Sequence, residues 1–274
     1  MRNRASDRLI VAAVALFAVV WLIPVVWVLV MSFKPDAVLM RSTAGFLPVP
    51  FTIENYARVM TVAKVPNWLM HSVIVAFLMT FIVLVISSMA GYAFARLDFP
   101  FKRPLFVLVV AGLMVPEQAI FIPLHTMFAE WGMHNTHTAL ITPRLAVPIG
   151  VFLMTQFFRS IPRELEEAAR LDHASHATIF LRIMLPLSVP ALTTLGLFTF
   201  IHGWNDYLWP LVSATSKDMY TVTVGLASIQ GNFGQSEGLG TLMASAVFAS
   251  APIMLLFVIF QRFIVAGVAM SAGK

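Results

Sequence analysis

ELEEAARLDHASHATIFLRIMLP, Glu164–Pro186, is a polar, helix-forming island set between two apolar spans. Pro162 just ahead of it suits the first turn of a helix, where its missing N–H is no loss. Glu164, Glu166 and Glu167 follow where the positive end of the helix dipole favours carboxylates. Leu165, Ala168 and Ala169 recur at i, i+3, i+4 and share one face, and two alanines there let a partner backbone approach closely. A turn is expected at His173, after which Ala174, Ala177 and Leu181 resume helical spacing and Pro186 opens the next span. A short helix–turn–helix held against a membrane face is a shape suited to docking.

The rest of the chain is a membrane protein. Hydrophobic residues make up 59% of the 274 and charged ones 11%, where a soluble chain carries roughly a quarter charged. The expected fold class is all-α, a single transmembrane domain over 1–274 with no soluble module. In that setting a net charge of +5 is a topology signal and not a nucleic-acid footprint. The absence of cysteine excludes disulfides, thiolate metal sites and cysteine nucleophiles. No G-x-x-x-x-G-K-[ST] is present to cradle nucleotide phosphates. No metal or catalytic set is expected either: His134 and His137, at i, i+3 in an external connection, read as solvated and not as ligands.

Six spans are expected, at about 9–31, 72–95, 104–127, 139–158, 185–201 and 241–260, each close to the twenty or so residues a bilayer needs. The first apolar run follows Arg2, Arg4 and Arg8; it is too long for a signal-peptide core and reads as a retained span. Lys34 to about Met70 shows no sustained helical periodicity and is expected to be an external loop. With the N-terminus inside, the inner segments hold Arg2, Arg4, Arg8, Arg96, Lys102, Arg103, Arg159, Arg163, Arg170, Arg182, Arg262 and Lys274. The outer ones hold Lys34, Arg41, Arg58, Lys64, Lys217 and Arg144, so the bias is twelve to six. The positive-inside rule therefore puts Glu164–Pro186 and both termini in the cytoplasm.

Several phrases carry a resemblance. Glu167-Ala168-Ala169, then Asp172, then Ile183-Met184-Leu185-Pro186 resemble the cytoplasmic coupling loop of ABC importer permeases. PNWLMHSVIVA (Pro66–Ala76), AGYAFARLDFP (Ala90–Pro100), FLMTQFFRSIPRELEEAARLD (Phe152–Asp172) and GWNDYLWPL (Gly203–Leu211) narrow it to the maltose-type carbohydrate importers, second permease subunit. The likeness runs from about Pro24 to the end. It implies a bacterial inner-membrane permease whose coupling loop, 160–183, docks an ATPase through Glu166, Glu167, Ala168, Ala169, Asp172, His173 and Ala174. It further implies a second, different permease, two ATPase copies that bind Mg-ATP, an external solute-binding protein and a carbohydrate solute. No cofactor is implied on this chain, no nucleic acid as partner, and lipid as the surrounding solvent. An external loop before the last span, with Asn232, Phe233 and Gln235, is where the family reaches its binding protein; an ordinary turn is the other reading.

The chain departs from the family pattern at identifiable places. His71 stands where asparagine is usual, His173 where glycine is usual, and Arg144 where the residue is usually uncharged. Histidine is among the types that tolerate the left-handed conformation needed at the turn. In the tail, Ala266 and Ser271 replace a basic residue and a glycine. Glu117, directly after Pro116 and beside Gln118, is ionisable within a span and faces either a solute path or the outer interface. Arg144 invites the same two readings, and the pair is expected to bridge. Trp204, Asn205 and Asp206 suit sugar contact or an interfacial aromatic belt. An ion- or proton-coupled transporter with Glu117 as carrier is the alternative function, and one broken span is its support.

Overall fold

The computed structural model describes residues 4–39, 45–61, 64–231 and 238–272. The order is α1 Arg4–Ser32, α2 Asp36–Leu39, α3 Glu54–Thr61, α4 Val65–Arg96, α5 Lys102–Ala111, α6 Glu117–Glu130, α7 His137–Ile141 and α8 Pro148–Ser160. Then come α9 Glu164–Leu171, α10 His176–Ile179, α11 Leu185–Leu187, α12 Val189–Asn205, α13 Leu208–Ser213, α14 Val222–Gly231 and α15 Leu239–Ala272. Among the described residues there is no strand. Three stretches are unbroken and apolar enough to cross a membrane: Arg8–Ser32, Val65–Arg96 and Leu239–Gln261. Three more qualify as bent pairs: Lys102–Met114 with Glu117–Glu130 (95°), His137–Arg144 with Pro148–Ser160 (51°), and His176–Leu187 with Val189–Asn205 (75°).

A proline accompanies each of the three bends. Val115-Pro116, Val147-Pro148 and Val189-Pro190 each put a proline at or beside the break. Proline pushes the residue before it out of the helical region, as at Val115 and Val147, and cannot donate to the preceding turn, which is the effect left at Pro190, since Val189 stays helical. Val115 and Pro116 are extended, at φ −84°, ψ 113° and φ −67°, ψ 131°. Pro148 and Pro190 open α8 and α12 in the first turn. The sequence reading marked an interruption only at Pro116; the chain breaks three spans in this way.

The chain divides into two compact units. In Met1–Asn67 with Val224–Pro252, the connection after α1 is more ordered than the loop expected there, because α3 forms an amphipathic helix at its centre. Asn55 is buried and its Nδ2 donates to Ser32 O and Lys34 O, both at 2.8 Å, closing the carbonyls beyond the end of α1. Phe33 stacks on Phe51 at 5.1 Å and meets Tyr56 at 4.9 Å. Asp36 Oδ1 accepts from Gly240 N at 2.7 Å, while its Oδ2 lies 3.3 Å from Arg58 Nη1.

In Trp68–Thr223 with Ile253–Lys274, α4 is the central post. The helix starts at Val65, earlier than the span expected from 72, because Pro66 fits a first turn and Trp68 and Ser72 have partners there. Trp68 Nε1 donates to Lys217 O at 2.8 Å, and Ser72 Oγ accepts from Val222 N at 2.8 Å. Lower down, α4 and α8 touch backbone to backbone: a Cβ on Gly91 would lie 2.6 Å from Met154 Cβ and 3.0 Å from Met154 C. Small residues of this kind let membrane helices gain van der Waals contact where no hydrophobic effect drives them together. Around the crossing, Tyr92, Ala95, Met154, Phe158, Ile161, Ile179, Met184, Ala191 and Leu195 form one buried cluster. A second cluster joins Val75, Met79 and Val83 to Leu140, Ile141 and Ala214.

Candidate functional site

The coupling stretch folds as its residues dictate. Helix α9 carries Glu164, Glu166 and Glu167 in its first turn. It ends in a complete left-handed cap. His173 takes φ 56°, His173 N donates to Arg170 O and Ala174 N to Ala169 O, both at 3.0 Å. These are the two bonds of a Schellman motif. Ser175 then caps α10, its Oγ accepting from Thr178 N at 3.2 Å. A wide π turn at Phe180–Met184 precedes α11, with Pro186 in its first turn. Such a turn absorbs the backbone bond that proline cannot make.

The face presented by α9 differs in part from the one expected. Glu167, Ala168, Asp172 and His173 are exposed. Ala169 and Ala174 pack against the buried cluster around Phe158. Glu166 is turned inward and only 5% exposed, its Oε1 lying 2.8 Å from Arg96 Nε at the end of α4. An isolated carboxylate could not sit there; burial of a charge requires its pair. Leu165 and Leu171 point outward instead, Leu171 at 82% exposure. Leu165 was expected to share a face with Ala168 and Ala169, whereas Leu171 was not singled out, although a leucine flanking an acidic motif on a short polar helix is the available signal. Arg96 was read as a topology charge only, since nothing local shows its partner 70 positions on.

Two of the breaks, at Pro116 and Pro148, border a cavity of about 1130 Å³ lined by residues of α6, α8, the far half of α12 and the turn at Thr142–Arg144. Glu117, Gln118, Asn205 and Asp206, expected near a solute path, all line it, together with Arg144, His202, Phe121, Phe198 and Tyr207. Trp204 does not: it is 2% exposed and stacks on Phe200 at 5.8 Å. Trp209, at the cavity's edge, is likewise buried; its Nε1 donates to Ala139 O at 2.8 Å, and Phe121 and Phe128 meet it edge-on. The two tryptophans of GWNDYLWPL are thus packing, while Asn205, Asp206 and Tyr207 face the cavity.

Arg144 and Glu117 form the expected bridge through Nη1 and Oε2, and a third member joins them. Asp206 Oδ2 accepts from Arg144 Nε at 3.1 Å and lies 3.0 Å from Nη2. Arg144 and Asp206 are mostly buried, whereas Glu117 stays largely open to the cavity. His202 Nε2 lies 3.9 Å from Glu117 Oε1. The guanidinium is therefore engaged by two carboxylates, and the group that projects is an acidic one.

The histidines expected to be solvated are half-buried and paired. His137 Nε2 lies 2.8 Å from His71 Nδ1, and the His134 and His125 rings sit 4.6 Å apart. Among the described residues, no three His, Asp or Glu side chains gather as a metal site would require. Asn232, Phe233 and Gln235 lie outside the described residues.

Residues 84–270 match the family of binding-protein-dependent transport system inner membrane components. The chain belongs to this family. As an inner membrane component it is a multi-pass permease, which moves solute and leaves ATP hydrolysis to another subunit. It is 35% identical to the arabinooligosaccharides transport system permease protein AraQ of Halalkalibacterium halodurans, over 95% of this chain and 94% of that one. It is 32% identical to the trehalose/maltose transport system permease protein MalG of Thermococcus litoralis, over 100% and 99%. Its fold is that of a chain in a bacterial ABC transporter that imports the acidic polysaccharide alginate, at a TM-score of 0.77, 23% identity and coverage of 96% and 98%.

Proposed function

We propose that this permease is one of two different membrane subunits of an ATP-driven importer for oligosaccharides. An external binding protein hands over the solute, and two copies of a cytoplasmic ATPase, binding Mg-ATP, dock on the coupling helices. The observation that carries this reading is the outward face of α9, where the exposed Glu167 and Leu171, at i, i+4, share one side of a helix anchored from behind. Both termini and α9 lie on the cytoplasmic side in this account, as the arginine distribution requires. ATP can shift the permease only if the closed ATPase pair binds one permease state better than the other.

The cavity supports an uncharged saccharide as the solute. An acidic sugar would meet the projecting Glu117 carboxylate and find the Arg144 guanidinium already engaged. A neutral sugar can donate hydroxyls to Glu117 and exchange hydrogen bonds with the Gln118 and Asn205 amides that line the same cavity.

Uptake by intact cells, with and without the chain, tests this. Labelled maltotriose and arabinotriose are the probes, with an alginate trisaccharide as the acidic comparison. Chain-dependent uptake of a neutral probe is expected to vanish on ATP depletion, to survive a protonophore that leaves ATP intact, and to be undiminished by excess acidic trisaccharide. Loss with the protonophore alone would favour a proton-coupled carrier.

A further inference from the structure

Arg96 does more than neutralise a buried carboxylate. Its Nε faces Glu166 Oε1 of α9 at 2.8 Å. Its Nη2 donates to Phe158 O at 2.5 Å and also to Ile161 O, the carbonyls that close α8. One planar, rigid group at the end of α4 thus holds the end of α8 and the first turn of α9 together. Its side chain is 4% exposed and that of Glu166 7%. Arg170 Nη2, the other charge near Glu166, stands off at 4.0 Å and is half-exposed. Ala169 and Ala174 also pack against the Phe158 cluster, ahead of Ile179 and Phe180 in the helix and turn that follow. Alanine contacts can slide. The two Nη2 hydrogen bonds fix the guanidinium on the end of α8, and the buried ion pair holds Glu166 against it by charge and close contact.

We infer that Arg96 and Glu166 are the positioning residues that pass movement of the docked helix to spans two and four. This rests on the proposed docking of an ATPase on α9. A push or pull on α9 reaches α4 and α8 through the buried pair, and the backbone contact at Gly91–Met154 keeps those two helices moving as one. Glu166 therefore works behind the docking face and not on it. Arrival of the binding protein outside is read at the ATPase through the same link in this inference, so stimulation of hydrolysis reports on it.

The test uses the whole assembly, purified through a tag on this chain and reconstituted in liposomes. The readout is the ratio of ATP hydrolysis with the external binding protein, as purified with its natural load, to hydrolysis without it. Glu166→Gln keeps size and removes the charge; Arg96→Lys keeps the charge and removes the fork. Both variants should retain the ATPase and basal hydrolysis while stimulation by the binding protein falls at least threefold. A general folding defect would instead lower basal hydrolysis and subunit recovery together. Wild-type stimulation in either variant overturns the inference, and so does loss of the ATPase from Glu166→Gln, which would make Glu166 part of the dock. If wild type itself brings down no ATPase, the docking proposal has failed, and that result is separate from either variant's behaviour.

Discussion

Arg144 shows how burial sets the worth of a charge. Its contacts to Asp206 are enclosed, whereas the bridge to Glu117 opens on the cavity. Removing one partner of a buried pair typically costs about 3–5 kcal/mol, because the other charge stays behind unpaired. An exposed pair is worth about 0–1 kcal/mol. Double-mutant cycles on thermal stability in mild detergent should therefore give a coupling of roughly 2 kcal/mol or more for Arg144–Asp206, and under about 1 kcal/mol for Arg144–Glu117. Equal couplings would mean that Glu117 is the structural partner and not the group left facing solute. Some of this was legible in advance. Two opposite charges in neighbouring spans had few other places to go, so their bridge could be foreseen. Asp206 could not, because it sits beside Trp204 and Tyr207 in a phrase whose local pattern reads equally well as an interfacial belt. His173 was legible for the opposite reason: the left-handed cap is a local device, and its need is written in the helix that precedes it.

Helices in this chain are held by close approach and bent by proline. Gly91 lies against Met154 Cβ and backbone, neither of which can swing aside, whereas Gly150 lies against Ser87 Oγ, the end of a rotatable side chain, with Leu195 next nearest at 3.3 Å. Overpacking a filled contact costs about 1–3 kcal/mol. Gly91→Ala should fall in that range, and Gly150→Ala below it, read as the midpoint of heat-induced loss of the purified protein. The reverse order would place the tight contact between α4 and α8 elsewhere. The number and position of apolar stretches could be read from the sequence, since bilayer thickness sets their length. Their bends could not, because proline at a break and proline in the first turn of a continuing helix look alike until packing decides between them. Helix α3 was missed because eight residues give too short a window for periodicity to stand out, and its burial depends on Asn55 reaching back to the end of α1.

At the scale of the whole molecule, the account joins a docking face at one site to a solute cavity at another. The first is α9 with its outward Glu167 and Leu171; the second is the cavity bordered by the breaks at Pro116 and Pro148. Between them run α4 and α8, tied by Gly91 and by Arg96. The exposed helix and turn proposed as the docking face were largely legible, because the EAA phrase, the cap and the arginine bias are all local or compositional. Which of its two adjacent glutamates faces outward was not, since that depends on an arginine seventy residues earlier. The measurement that bears most directly on the whole is affinity purification of the tagged chain from its own membrane, with identification of the co-purifying proteins, for wild type and for Glu167→Arg. The account predicts an ATPase and a second permease with wild type, and retention of the permease with loss of the ATPase from the variant. A chain that comes down alone or only with copies of itself would contradict it.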